Sequence, residues 1–421
     1  MLLVSDINNN LEKISSSLLK RNIDVKDKLI EIIELDNLRR STQSELDNLL
    51  AESNKLAKEI GNLFKSGEAE KASQLKEKAS SLKPQSKLLS DKLSEINEKL
   101  NSLLLDIPNV PNDLVPAGST EQDNLEIFKH GEIPVLHDNA LPHWEIASKF
   151  NIIDFDLGNK ITGAGFPVYK NKGAKLQRAL INYFIDKNTD AGYKEIQVPI
   201  LINEDSGTGT GQLPDKEGQM YHVTGDNLYL APTAEVPVTN IFRNSIIKSS
   251  DLPVCLTSYT PCFRREAGSY GSHVRGLNRL HQFDKVEIVR IEKAENSYNA
   301  LEQMIDHVKS ILEELELPFR ILRLCGGDLG FTSSLTYDFE VYSAAQKKWL
   351  EVSSVSNFET FQSNRLKLRI DDNGNKSLAH TLNGSSLALP RIVACLLENH
   401  QTESSIKIPK VLVNYTGFEE I

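Results

Sequence analysis

The chain has 421 residues, of which 39% are hydrophobic and 25% charged. That length holds two or three domains, and those proportions lie near globular averages, which excludes a disordered or fibrous chain. The net charge is 48 − 58 = −10; attraction to phosphate needs only a local basic surface, so an acidic total does not exclude RNA. No apolar run approaches the roughly 20 residues that span a bilayer, so no membrane partner is expected. Met1-Leu2-Leu3-Val4-Ser5-Asp6 is too short and too soon acidic for a secretory signal, and the expected location is cytoplasmic. The four cysteines, Cys255, Cys262, Cys325 and Cys395, are dispersed without a Cys-x-x-Cys pair. They read as reduced, mostly buried small hydrophobes, and no zinc is expected.

From Asp27 to Leu103 the sequence changes character, with Phe64 its one aromatic residue and Pro84 its one proline. Leu75, Ala79, Leu82, Ser86, Leu89, Leu93, Ile96, Leu100 and Leu103 follow a 4-3 spacing, broken chemically only at Ser86. Leu35, Arg39, Thr42, Leu46, Leu49, Ser53, Leu56, Ile60 and Leu63 keep the same spacing more weakly. Lys65-Ser66-Gly67 supplies a turn, so the pattern predicts an antiparallel two-helix hairpin. Pro84 removes a backbone donor and should bend the second helix without ending it. From Lys71 to Lys99 the balance is 7 − 4 = +3, with Lys76, Lys78, Lys83, Lys87 and Lys92 clustered. Such a stripe suits phosphate contacts but equally suits a dimerising or solubilising coiled coil.

Ile107-Pro108-Asn109-Val110-Pro111 and Pro116 break the helical pattern and read as a linker. Helical spacing returns at Lys175–Asn188, followed by a strand over Lys194–Pro199. Gly207-Thr208-Gly209-Thr210-Gly211 lacks the Gly-Lys-Ser/Thr ending of a Walker loop and reads as a flexible loop. Strand-rich segments then run to about Leu382 with one helix near Ala294–Glu314, a pattern of α+β class with an antiparallel sheet.

The densest chemistry lies in Phe263-Arg264-Arg265-Glu266-Ala267-Gly268-Ser269, a Gly-rich basic segment to Arg279, and His281-Gln282-Phe283-Asp284-Lys285-Val286-Glu287-Ile288-Val289. The outer parts alternate like two strands of a hairpin. Alternation places Arg264 and Glu266 on one face, and Phe283, Lys285 and Glu287 together on the second strand. A guanidinium fork, an aromatic ring and two carboxylates on one surface suit a nucleotide.

This hairpin resembles motif 2 of the class II aminoacyl-tRNA synthetases, in the form found in bacterial-type seryl-tRNA synthetases. Thr233-Ala234-Glu235 resembles that family's serine-binding loop. Glu351-Val352-Ser353-Ser354 resembles its metal and ATP strand, Asn383-Gly384-Ser385 through Arg391 its motif 3, and the Lys175–Pro199 stretch its motif 1. The resemblance implies residues 1–106 as a tRNA-binding coiled-coil arm and 107–421 as a class II catalytic domain working as a homodimer. It implies activation of serine with ATP and Mg²⁺, and transfer from seryl-adenylate to tRNA(Ser).

Residue by residue, the resemblance puts Arg264 at the α-phosphate and substrate carboxylate, and Arg391 at the γ-phosphate. Phe283 would stack on adenine, with Arg265 and Glu266 also at ATP. Glu351 and Ser354 would hold Mg²⁺ on the ATP phosphates, flanked by Val352 and Ser353. Thr233, Ala234, Glu235, Glu287 and Ser385 would form the serine pocket, with Glu287 at either the hydroxyl or the ammonium. Ser386 and Pro390 stand where glycines are frequent in motif 3, although Arg391 is retained. Two rival functions remain at this level: a synthetase-like ligase loading a carrier protein, and a non-catalytic coiled-coil scaffold with a degenerate synthetase domain. The full-length arm argues against the first, and intact Arg264, Glu287, Glu351 and Arg391 against the second.

Overall fold

The structure is a computed structural model that describes residues 1–266 and 275–421. Ala267-Gly268-Ser269 and the expected tip of the hairpin therefore lie outside the described residues. The chain divides into two compact units, one comprising Leu2–Leu19 with Ile23–Pro108, the other Met1, Lys20–Asn22 and Asn109–Ile421.

In the first unit two short helices, α1 (Val4–Asn9) and α2 (Leu11–Leu18), pack on α3 (Lys26–Lys65), which pairs along its length with α4 (Ala69–Asp106). Every residue of both predicted series is buried or half-buried, Ser86 and Arg39 included. The spacing therefore selected the right stripe even where the chemistry was polar. Gly67 makes the turn at φ +80°, a left-handed conformation open to glycine. Helix α4 runs on through Pro84, which faces solvent. Lys76, Lys78, Lys83, Lys87 and Lys92 are all exposed, Lys78 pairing with Glu52 of α3 at 2.9 Å.

The second unit is built on eight strands: β1 (Leu125–His130), β2 (Lys194–Glu195), β3 (Val254–Phe263), β4 (Gln282–Glu292), β5 (Phe319–Arg323), β6 (Leu335–Ser343), β7 (Lys348–Glu359) and β8 (His380–Ala388). Their order is β1-β5-β6-β7-β8-β4-β3-β2, antiparallel except where β2 joins β3 in parallel. The α+β class read from the sequence holds. Helices α5 (His143–Lys149), α6 (Phe155–Ile161) and α7 (Asn171–Asp190) precede the central strands; α8 (Glu204–Thr210) and α9 (Glu235–Asn240) lie between β2 and β3. Then come α10 (Ser297–Glu314), α11 (Phe361–Leu366) and α12 (Leu389–Asn399). Helices α7, α10 and α12 bury Leu180, Phe184, Val308, Ile311, Ile392 and Leu396 against the sheet in one apolar core.

Three expectations need correction. The Gly207–Gly211 stretch is not a flexible loop: it forms the end of α8, capped by Asn203, whose carboxamide oxygen accepts from Ser206 N. That cap satisfies a free helical N–H and outweighs the poor helix propensity of the glycines. The predicted Lys194–Pro199 strand keeps only Lys194–Glu195 in regular pairing. The linker is a packed segment, with Ile107 buried at the edge of the first unit, and in the second Asn109 donating to Thr332 O at 2.9 Å and Phe358 O at 2.8 Å.

Candidate active site

Strand β4 lies between β3 and β8, so each of its residues meets a partner on both sides. Glu287 stands opposite Ser258 of β3 and Ser385 of β8. Between Lys285 and Glu287 the register slips, because β8 carries an extra residue between Ser385 and Ala388. A bulge of this kind re-aims side chains beside it. Glu287 is wholly buried: Ser385 Oγ donates to Oε1 at 2.9 Å, Asn383 Nδ2 to Oε2 at 2.5 Å, and Lys285 Nζ lies 2.5 Å from Oε1. A buried carboxylate is tolerated only when paired and hydrogen-bonded in this way. Lys285 and Glu287 do share a face, as alternation predicts.

The alternation does not extend to Arg264 and Glu266, which lie beyond the end of the strand. Strand β3 ends at Phe263, although Arg264 N still bonds to His281 O at 2.9 Å, and Glu266 turns to φ +48°. The Arg264 guanidinium lies over Phe283 at 5.3 Å from the ring centroid, and its Nε donates to Pro232 O at 3.4 Å. Glu266 pairs with Arg279 at 3.0 Å at the wall of a cavity of about 800 Å³ that also touches Trp144, Asp154, Phe166 and His281. Arg265 is exposed and held by its backbone, N to Gln219 O at 2.9 Å.

The bond to Pro232 ties Arg264 to the Thr233-Ala234-Glu235 segment, where Ala234 caps α9 and all three residues are buried. Burial pushes the Glu235 carboxyl up to about 7; a bond from Gln362 Nε2 at 2.7 Å opposes the rise and Glu287 adds to it. Glu235, Glu287, Lys285 and Arg264 therefore feel one another electrostatically. The structure brings these predicted serine and phosphate residues together.

A second cluster forms on β7. Glu351 and Ser354 are three apart, and a regular strand would point them to opposite faces. Ser354, Ser353 and Glu351 pair with Asp338, Phe339 and Glu340 of β6, so Val352 is the extra residue of a bulge. The bulge resets the alternation and places both predicted metal ligands beside Asp338. Burial, and then Glu351, push the Asp338 carboxyl well above the usual range, while Ser354 opposes this by hydrogen bonding. Its Oδ1 is buried without a partner. That orphaned oxygen next to Glu351 and Ser354 fits a divalent cation, which prefers hard oxygen ligands. Arg391, in the first turn of α12 after Pro390, donates from Nη1 to Glu351 O at 2.6 Å and from Nε to Asn278 O at 3.1 Å. Ser353 Oγ donates to Ser385 O at 2.5 Å, which joins the β7 cluster to the serine-side strand.

Gln362, Asp338 and Asn278 escape the sequence pattern, and Asn383 enters it only as part of the motif-3 string, without a role. Each reaches the site across a strand or helix boundary, with no local spacing to announce it. The departure at Ser386 also has a partner: its hydroxyl donates to Asn188 Oδ1 at 2.8 Å. That oxygen also accepts from His307 Nε2 at 2.7 Å, and Asn188 Nδ2 donates to Thr257, whose hydroxyl donates to Glu287 O at 2.9 Å. Motif-3 and motif-2 strands are thus tied through one buried asparagine of α7.

Residues 221–400 match the family described as the tRNA synthetase class II core domain (G, H, P, S and T). With the antiparallel sheet and the arginine and carboxylate clusters on it, this defines the class II aminoacyl-tRNA synthetases. Residues 1–111 match the seryl-tRNA synthetase N-terminal domain. The serine–tRNA ligase of Salinibacter ruber is 46% identical over 424 residues, covering 100% of this chain and 99% of its own. That of Nautilia profundicola is 46% identical over 407 residues, covering 96% and 98%. A crystal structure of seryl-tRNA synthetase from Pyrococcus horikoshii complexed with ATP aligns with a TM-score of 0.91 at 32% identity, covering 100% of this chain and 99% of that one. The chain belongs to the seryl-tRNA synthetase family.

Proposed function

We propose that this chain is a serine–tRNA ligase that joins serine to ATP at the Arg264–Glu287 cluster and then transfers the seryl group to tRNA(Ser). The observation that carries the reading is the convergence of Arg264, Glu235, Glu287 and Ser385, drawn from four separate segments, on one partly buried site. Activation is attack of the serine carboxylate on the α-phosphate with pyrophosphate leaving. The nucleophile is already an anion, so the protein must hold two negative groups together and stabilise charge at phosphorus.

Arg264 suits that task, a planar fork of donors beside Phe283, which offers a ring for adenine. Arg391 is assigned to the γ-phosphate, Arg265 and Glu266 to the adenosine side. Mg²⁺ would sit at Glu351 and Ser354, with Val352 and Ser353 forming the strand between them. When bound, it supplies charge neutralisation on the ATP phosphates.

Serine recognition falls to Thr233, Ala234, Glu235, Glu287 and Ser385. Both Glu287 oxygens already accept protein bonds, so Glu235 is the better carboxylate for the ammonium, and Glu287 with Ser385 lies on the hydroxyl side. A pocket that hydrogen-bonds the hydroxyl penalises analogues lacking it, because its own groups are left unpaired. With a carboxylate for the ammonium, no protein-bound zinc is called for. The two-helix unit, residues 1–106 with its exposed lysines, is the tRNA-binding arm, gripping the RNA by backbone and shape. The catalytic domain, 107–421, acts as a cytoplasmic homodimer through α7 and β2.

Serine-dependent ATP–pyrophosphate exchange tests the activation step. Serine should drive exchange, alanine should fail by a factor on the order of 10⁴, and removal of Mg²⁺ should abolish it while a zinc-selective chelator leaves it unchanged. Equal exchange with alanine would contradict the pocket assignment.

A further inference from the structure

Helix α12 carries Arg391 at its start and Glu398 near its end, seven residues apart and so nearly on one face. Both reach the same short segment, Gly276–Asn278. Arg391 does so directly, through Nε to Asn278 O at 3.1 Å. Glu398 does so through His143, the first residue of α5, and both of these side chains are wholly buried. His143 Nδ1 lies 2.6 Å from Glu398 Oε1, and His143 Nε2 accepts from Leu277 N at 2.8 Å. An imidazole nitrogen that accepts a backbone N–H carries no proton, so the proton sits on Nδ1 and points at Glu398.

Three further bonds hold the carboxylate: His143 N at 2.9 Å, Gln346 Nε2 at 2.9 Å and Ser343 Oγ. Gln346 Oε1 in turn accepts from Asn278 Nδ2 at 2.9 Å, so the segment is fastened to Glu398 by two routes. Gly276 sits at φ +70°, and a Cβ there would come within 2.2 Å of His143 Nε2. The backbone approaches the imidazole closely only because that residue is glycine.

We propose that the buried His143–Glu398 pair is a positioning device for Arg391, fixing Gly276–Asn278 so that Asn278 O aims the guanidinium at a phosphate of ATP. The proposal rests on the assignment of Arg391 to ATP. His143 and Glu398 touch no reacting atom; they act through a peptide segment. Asn278 O and Glu351 O hold the Arg391 guanidinium, with Glu351 Oε2 3.5 Å from Nη1, and orientation set before binding is where such a side chain gains rate.

The test is carried out on the full chain with His143→Ala, His143→Gln and Gly276→Ala. Glutamine keeps a donor for Glu398 and an acceptor for Leu277 N–H. Gly276→Ala pushes the backbone off the imidazole and leaves both buried side chains in place, so it serves if His143→Ala fails to fold. Hydrogen exchange of the Leu277 amide reads the contact itself, independently of activity: it should be slow in the parent and His143→Gln and fast in the other two. In pyrophosphate exchange, His143→Ala and Gly276→Ala should raise KM for ATP about tenfold, the loss of one oriented contact, with KM for serine unchanged within twofold and His143→Gln recovering most of it. Placed in an Arg391→Ala background, Gly276→Ala should have no further effect on KM for ATP, because coupled residues are not additive. Parallel rises in both KM values, or full additivity with Arg391→Ala, would overturn the positioning role. A parent enzyme with the protected Leu277 amide but no serine-dependent exchange would instead overturn the functional reading while leaving the contact intact.

Discussion

In the α3–α4 hairpin each contact between the helices repeats the one before it, so the residues of each helix that make successive contacts are three or four apart in sequence. In the second unit the residues proposed for the site, Thr233, Arg264, Glu287, Glu351, Ser385 and Arg391, are spread over more than a third of the chain, and two β-bulges lie among the strands that carry them. The first arrangement tolerates a polar residue such as Ser86 in its seam, where one weak rung is shared among many. The second places Glu287 and Lys285 in full or near-full burial, where each needs its particular partner. A regular packed stripe makes a unit that other residues can decorate; a non-local cluster makes a site that single substitutions destroy.

Removing one region separates their roles most sharply. Replacing Asp27–Leu103 with a short linker should leave serine-dependent pyrophosphate exchange within about twofold while charging of tRNA falls by 10³ or more, roughly the loss expected when several phosphate contacts vanish together. Collapse of exchange in a protein whose second unit is still folded would show that the two regions do not divide the work. Next in size, Arg264→Lys keeps the charge and loses the bidentate fork; exchange should drop by about 10² to 10³ with the melting temperature unchanged. A normal rate would remove Arg264 from the phosphate.

The legibility of the two regions differs for the same physical reason. Periodicity named the hairpin seam down to Arg39 and Thr42, because a helix repeats its environment. It also placed Lys285 and Glu287 on one face of β4. It failed at Arg264 and Glu266, where β3 stops and a left-handed residue turns the chain, and at Glu351 and Ser354, whose common side depends on a bulge opposite Phe339 and Glu340. Those positions were found by resemblance to a family string; Asn383 stood in that string without a role, and Asp338 and Gln362 were not found at all. They act across strands, and one-dimensional spacing contains nothing about the strand next door. The glycines of α8 misled in the opposite way: propensity favoured a loop, and the Asn203 cap with burial of Gly207 and Gly209 decided for a helix.

A smaller effect separates the carboxylates of the site. With Glu235 pushed up to about 7 by burial, its proton must leave before the ammonium of serine can be bound as an ion pair. Below pH 7 KM for serine should therefore fall about tenfold for each unit of rising pH and level off above it; Glu235→Gln should be weaker throughout and flat. Stability without serine runs the other way. A carboxyl raised above its ordinary 4.5 favours the fold while protonated, and that contribution is lost as pH rises from about 4.5 to about 7. Serine should then raise the melting temperature more at pH 8 than at pH 6; an equal shift at both would detach Glu235 from the ammonium.

Smallest of all, Ser386→Gly restores the commoner motif-3 residue and deletes the bond to Asn188. It should destabilise the second unit by about 1 kcal/mol, read by denaturant unfolding, with exchange lowered less than tenfold. No loss of stability would mean that Asn188 does not tie β8 to α7 through that hydroxyl.

Transfer of serine to RNA separates a tRNA ligase from a carrier-protein ligase, and a charging reaction reads it directly. Purified chain should be incubated with labelled serine, ATP, Mg²⁺ and total tRNA, in parallel with an acyl-carrier protein in place of the RNA. Label should precipitate with RNA, be released by ribonuclease and be absent from the carrier. Label on the carrier protein, or serine-dependent pyrophosphate exchange with no labelled tRNA, would contradict transfer to RNA.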